Sequence, residues 1–143
     1  MTESVQGRIL VVDDERPIRE MLARRYAFRG WEVFDAADGA AALAILEAEP
    51  IDVLLTDIVM PGMGGIELMR EIRDNHPEVG FAAMTGYVEL AKLLQAMRLG
   101  AEDCFYKPFQ NLAEIDAVVD SIAARRRNWE RKLAQLRNLA EES

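Results

Sequence analysis

Short apolar runs alternate along this chain with stretches whose apolar residues recur every three or four positions. Ile9 to Val12 is apolar without interruption, and Ile51 to Thr56 is apolar but for Asp52 and the closing Thr56, the pattern of strands covered on both faces. Further strand-like runs lie at 31–34, 79–84 and 103–106. Between them, helical periodicity predicts helices over 16–29, 38–48, 66–74 and 88–99, and one more from Leu112 onward. Punctuation supports these limits. Pro17 sits in a first helical turn, and Gly30 and Gly100 follow last turns. Pro50 and Pro77 lie just beyond two other helices. MPGMGG, from Met60 to Gly65, reads as a loop, and the polar residues 1–7 read as a flexible N-terminus. Five strand-then-helix units in succession imply an α/β domain, a parallel sheet with helices on both faces.

Sheets of this kind bind ligands beyond the carboxyl ends of their strands. Asp13, Asp14, Asp57, Thr85 and Lys107 all fall at such ends. Each has a plainer reading on its own: an aspartate there often caps a helix or shapes a turn, and a lysine before proline is often a solvated loop residue. The plainer reading requires five coincidences. Three clustered carboxylates repel one another and favour a bound cation. Mg²⁺ suits an all-oxygen set completed by waters and a phosphate. Cys104 is the single soft ligand and His76 lies in a polar loop, which argues against zinc. Lys107 can neutralise phosphoryl oxygens as a point charge, and Thr85 can offer a hydroxyl. A carboxylate can also be the nucleophile toward phosphorus.

The bulk properties narrow the partners. In 143 residues, 25 acidic side chains outnumber 17 basic ones, a net charge of −8 that disfavours nucleic-acid binding by the whole surface. One cysteine permits no internal disulfide. No apolar stretch approaches membrane-spanning length, and the N-terminus lacks a signal-peptide layout. A cytoplasmic setting is the expectation.

Four segments together carry a resemblance: VVDDE (11–15), LLTDIVMPGMGGIEL (54–68), MTG (84–86) and GAEDCFYKPF (100–109). Over residues 8–124 the chain resembles the receiver domain of two-component response regulators. The resemblance implies a flavodoxin-like (βα)5 doubly wound parallel sheet with strand order 2-1-3-4-5. It implies that Asp57 is the phosphoacceptor, attacking a phosphohistidine on a sensor histidine kinase or phosphotransfer protein. It implies Mg²⁺ held by Asp14, Asp57 and the main-chain carbonyl of Val59, with Asp13 holding a metal-bound water. Thr85 matches the hydroxyl residue that moves toward the phosphoryl group, Lys107 the lysine that binds it, and Lys107-Pro108 a bond that is commonly cis. The chain departs from the pattern in three places. Cys104 replaces the usual switch aromatic, with Tyr106 or Tyr87 as possible substitutes. Gly64 stands where Asp is usual. Val59 and Tyr87 flank the expected path of hydrolytic water, and neither orients water well.

Two functions compete: a phosphorylation-controlled switch, catalysing only its own phosphoryl transfer and dephosphorylation, and a phosphohydrolase with Asp57 as nucleophile. Haloacid-dehalogenase-like hydrolases place a second Asp two residues after the nucleophile, where this chain has Val59, so the switch is favoured. Along the last helix, Ile115, Val119, Ile122, Arg126, Trp129, Leu133, Leu136 and Ala140 recur at alternating spacings of four and three, a heptad seam whose first half should pack on the sheet and whose second half runs beyond the domain. Residues 125–143 therefore read as a helical extension, either a signalling helix that pairs with a second copy or a linker to an output domain. A helix folding back on its own domain is the plainer alternative. Arg125, Arg126 and Arg127 read as a solvated face, since no DNA-binding motif follows.

Overall fold

The computed structural model describes residues 6–86 and 89–142. Strands β1 (Arg8–Val12), β2 (Glu32–Ala36), β3 (Val53–Asp57), β4 (Gly80–Thr85) and β5 (Cys104–Tyr106) alternate with helices α1 (Arg16–Phe28), α2 (Gly39–Ala48), α3 (Gly65–Asn75), α4 (Leu90–Leu99) and α5 (Leu112–Glu142). All four strand pairings are parallel, in the order β2-β1-β3-β4-β5, the flavodoxin-like arrangement expected. The switch point lies between β1 and β3, whose carboxyl ends carry the acidic residues.

Alternation along each strand divides the core in two. Leu10, Val12, Leu54, Phe81 and Ala83 face α2, α3 and α4, meeting Leu46, Leu68, Met69, Ile72 and Leu99. Ile9, Val11, Val53, Leu55, Ala82 and Met84 face α1 and α5, meeting Leu22, Tyr26, Ile115, Val119 and Ile122. The helix ends follow the expected chemistry. Asp38 caps α2 by accepting from Ala41 N at 2.8 Å. Gly100 closes α4 with a left-handed φ of 105°.

Several boundaries differ from the sequence reading. β3 and β4 run one residue further, so Asp57 and Thr85 are the last residues of their strands. β2 begins after Trp31, whose main-chain N–H donates to Tyr26 O at 2.9 Å and whose ring packs edge-on against Tyr26, with centroids 6.4 Å apart. Of the N-terminal segment 1–7, only Gln6 and Gly7 are described. Gln6 N donates to Gly30 O and Gly7 O accepts from Glu32 N, which ties both to the loop before β2.

Helix α5 is continuous from Leu112 to Glu142 and does not turn back on the domain. Ile115, Val119 and Ile122 are buried, whereas Trp129, Leu133, Leu136 and Leu139 are more than half exposed. An interhelical clamp fixes its first half. Asp116, buried, accepts from Tyr26 Oη at 2.9 Å and from both Arg25 Nε and Arg25 Nη2, and Arg29 lies 3.6 Å away. The Arg25 guanidinium holds the Asp116 carboxyl below the usual range. Burial, then the hydrogen bond to Asp116, pushes the Tyr26 phenol well above its ordinary value.

Candidate functional site

The carboxyl ends of β1, β3, β4 and β5 bring the five candidate residues to one end of the sheet. Asp13 follows β1 directly, and Asp14 comes next in the same turn. Asp13 is fully buried and Asp57 nearly so, while Asp14 is exposed. One carboxylate oxygen from each of the three lies within 4.8 Å of the others. Lys107, from the end of β5, reaches into this cluster with its side chain 7% exposed. Its Nζ donates to Asp57 Oδ2 at 2.7 Å and lies 2.6 Å from Asp13 Oδ2. Glu15 Oε1 is further off, at 3.8 Å. The Lys107-Pro108 bond is cis, as the resemblance implied.

The main chain holds the acids in place. Asp13 Oδ1 accepts from Glu15 N at 2.8 Å, and Asp57 Oδ1 accepts from Val59 N at 3.2 Å. Thr85 is buried, and its carbonyl accepts from Lys107 N at 2.8 Å, so β4 positions the lysine directly. Val59 is 41% exposed at the mouth of the site. Tyr87 lies outside the described residues. Gly65 abuts the end of β3: a Cβ there would stand 2.1 Å from Asp57 O. Gly64 precedes α3 in an extended conformation with no side-chain cap, and the helix forms without the usual Asp.

Charge here is unbalanced. Burial raises the pKa of Asp13, outweighing the opposing pull of Lys107 and of the Glu15 N–H. For Lys107, burial works against the charge, but Asp13 and Asp57 together win and the pKa is raised. The lysine thus stays protonated and cannot satisfy three carboxylates alone. That one ammonium, 2.6 Å from Asp13 Oδ2 and 2.7 Å from Asp57 Oδ2, is shared between two buried carboxylates, and Asp14 adds a third acidic group to the cluster. An all-oxygen cluster with that excess of negative charge fits a hard divalent cation.

Sequence reasoning missed one contributor. Arg19, in the second turn of α1, donates through Nη1 to Asp13 O at 2.8 Å and pairs through Nε with Asp35 at 3.2 Å. Its guanidinium holds the peptide between the two adjacent aspartates. Only its helical spacing from Glu15 is visible in the sequence. Cys104 packs with the α2–α4 side of the core, and desolvation pushes its thiol up to about 11, so it is a packing residue and not a reactive one. Tyr106 is half exposed, on the strand residue beside Lys107.

Residues 9–120 match the family described as the response regulator receiver domain. This chain belongs to that family. It is 39% identical over 113 residues to the regulatory protein AtoC of Escherichia coli, covering 79% of this chain but 24% of AtoC. It is 36% identical over 115 residues to sporulation initiation phosphotransferase F of Bacillus subtilis, covering 80% of this chain and 90% of that one. Among solved structures, a CheY-like receiver domain protein from Methanospirillum hungatei matches with a TM-score of 0.81 at 29% identity, over 87% of this chain and 98% of that one. Response regulator TrrA from Thermotoga maritima, in complex with Mg²⁺ and BeF, matches with a TM-score of 0.72 at 33% identity, over 81% of this chain and 98% of that one. The chain spans about a quarter of the length of AtoC and of the Pseudomonas aeruginosa response regulator FleR. The protein is therefore a receiver domain of the two-component kind, and its acidic cluster is consistent with a phosphoacceptor site. Its relatives are response regulators, not phosphohydrolases, so the hydrolase alternative falls.

Proposed function

We propose that Asp57 is the phosphoacceptor of a phosphorylation-controlled switch. The observation that carries this is the placement of its carboxylate: last in β3, within 4.8 Å of Asp13 and Asp14, and 2.7 Å from the Lys107 ammonium. A carboxylate oxygen of Asp57 attacks the phosphorus of a phosphohistidine, the P–N bond breaks, the imidazole leaves with the electron pair, and an acyl phosphate remains on Asp57. Lys107 then shifts its charge from the Asp57 carboxylate to a phosphoryl oxygen. Thr85, on the neighbouring strand, supplies the hydroxyl that follows the phosphoryl group. Asp14, Asp57 and the Val59 carbonyl are the proposed Mg²⁺ ligands, with Asp13 acting through a metal-bound water. When bound, Mg²⁺ neutralises charge on the transferring phosphoryl oxygens.

The donor is a sensor histidine kinase or a phosphotransfer protein. The chain catalyses only its own phosphorylation and dephosphorylation. We divide it into an N-terminal segment 1–7, a receiver domain 8–124 and a helical extension 125–143 that pairs with a second copy or leads to an output domain. The extension takes no direct part in nucleic-acid binding. A cytoplasmic setting is supported by the lone cysteine. Among the described residues no helix is long and apolar enough to cross a membrane.

Intact-mass measurement with acetyl phosphate tests the assignment. The wild type should gain one acid-labile phosphoryl group with Mg²⁺ present and none without it, and Asp57→Asn should gain none. Equal labelling of the two proteins would overturn it.

A further inference from the structure

We infer that Gly39, the first residue of α2, is a positioning residue for the loop that presents the Val59 carbonyl to Mg²⁺. The inference rests on the ligand set proposed above and names what holds one of its members in place.

The first ground is what the loop lacks. Residues 58–64 join β3 to α3. Gly62, with a left-handed φ of 73°, and Gly64 leave this stretch little stiffness of its own. Gly64 gives α3 no side-chain cap. The base of the loop is closed, because Ile58 N donates to Met84 O at 3.0 Å and Gly65 N to Ile58 O at 2.9 Å. Those bonds fix Ile58 and Gly65, not the span between them. Val59 N donates to the Asp57 carboxylate at 3.2 Å, which ties it to the reacting group and not to the scaffold.

The second ground is the contact that α2 makes. The first N–H groups of a helix have no partner within it. Asp38 accepts from Ala41 N, and Met63 O, in the loop, accepts from Gly39 N at 3.2 Å. The approach is close: a Cβ on Gly39 would stand 2.6 Å from Met63 Cγ and 2.8 Å from Met63 O. The methionine side chain can swing aside. The carbonyl can withdraw only if the loop moves and the bond lengthens. Gly39 is buried and its φ is not left-handed, so a side chain is excluded by space and not by backbone conformation. Glycine is the poorest helix former after proline, and a helix that opens on one here has this contact as its reason.

The third ground is the support behind the contact. Ala42 and Leu46 of α2 lie in the same buried cluster as Ile58, Met60 and Leu68. The helix, the base of the loop and the start of α3 therefore form one packed body. Met63 is where the far side of the loop is drawn onto it. Three residues separate Met63 from Val59, and Pro61 among them has a fixed φ, so a shift at Met63 carries to the Val59 carbonyl.

Calorimetric titration of Mg²⁺ into the full chain, paired with urea unfolding in its absence, tests the inference. Gly39→Ala should bind Mg²⁺ about tenfold more weakly than the wild type, the low end for losing a group that orients a ligand. Adding Gly64→Asp, which supplies the missing cap of α3 and holds the loop from its other end, should restore the affinity to within about threefold. Adding Met63→Ala instead should not, because the carbonyl contact remains. In the wild type, the Gly39 amide should exchange with solvent at least about threefold more slowly with Mg²⁺ than without, while the Ala42 amide, which donates to Asp38 O, should not change. That measurement stands even where Gly39→Ala does not fold. A lowered urea midpoint with normal Mg²⁺ affinity makes Gly39 a packing residue and overturns the inference, as does exchange at Gly39 that is insensitive to Mg²⁺. Full recovery by Met63→Ala overturns the role of the carbonyl tie. A wild type that binds no Mg²⁺ overturns the ligand set itself, a result told apart from the others because it needs no variant.

Discussion

Replacing Lys107 by alanine probes the site's charge balance. In the resting site its ammonium lies 2.6 Å and 2.7 Å from two carboxylates whose side chains are 0% and 6% exposed. Removing one partner of a buried ion pair costs about 3–5 kcal/mol, because the other charge is left uncompensated. Asp13 can escape part of this by taking up a proton, so the lower end, about 3 kcal/mol, is expected near neutral pH. The escape gives the loss a pH signature. The Asp13 pKa is already raised above its model-compound value of 3.8 by burial, and Lys107 opposes that rise. Without Lys107 it rises further. An acid whose folded pKa exceeds its unfolded one binds more protons when folded, so stability falls as pH rises through that window. The deficit of Lys107→Ala should therefore shrink as the pH is lowered from neutral toward that of the raised Asp13 pKa. Mg²⁺ should act in the same sense: the unneutralised carboxylates bind it at least as well as before, and binding to the folded state alone stabilises it. Urea unfolding followed by tryptophan fluorescence, with and without Mg²⁺, gives the comparison. If Lys107→Ala is as stable as the wild type near neutral pH without Mg²⁺, the lysine is not the neutralising charge argued for here. The same conclusion follows if its deficit is independent of both pH and Mg²⁺.

Three further outcomes follow from single contacts. Arg19→Gln and Arg19→Lys should both weaken Mg²⁺ binding by about tenfold, the low end for losing a residue that orients ligands, because only the guanidinium fork spans Asp13 O and Asp35. Fluorescence titration checks this, and a normal affinity in Arg19→Lys would show that charge alone matters. Gly65→Ala should cost about 3 kcal/mol despite alanine's better helix propensity, since its Cβ would meet Asp57 O and the Cα of Ile58; thermal unfolding measures it. Asp116→Asn should lose about 2 kcal/mol by breaking the charge-assisted bonds to a partly exposed Arg25. Because the Asp116 pKa is lowered, its contribution is present above 3.8 and disappears as pH falls through its folded value, so wild type and variant should converge in acid.

Local pattern determined a great deal in this protein. Dense apolar runs marked β1 and β3, and glycine and proline marked where helices stop, because burial on two faces and backbone freedom act residue by residue. The alternation of strands and helices then implied a parallel sheet, and the carboxyl-end rule gathered Asp13, Asp14, Asp57, Thr85 and Lys107 before any coordinate was known. What only the tertiary structure decided are the pairings between side chains distant in sequence. Lys107 bridges Asp13 and Asp57, Arg19 grips the turn between the two aspartates, Asp116 takes two arginines and a tyrosine, and Arg126 turns toward Asp52. The heptad spacing of α5 correctly placed Ile115, Val119 and Ile122 on one stripe, but put Arg126 in the same seam as Trp129. Periodicity says which residues share a face of a helix. Which surface covers that face is set by where the chain's other elements come to rest, and for a long cation by which carboxylate lies within reach of it.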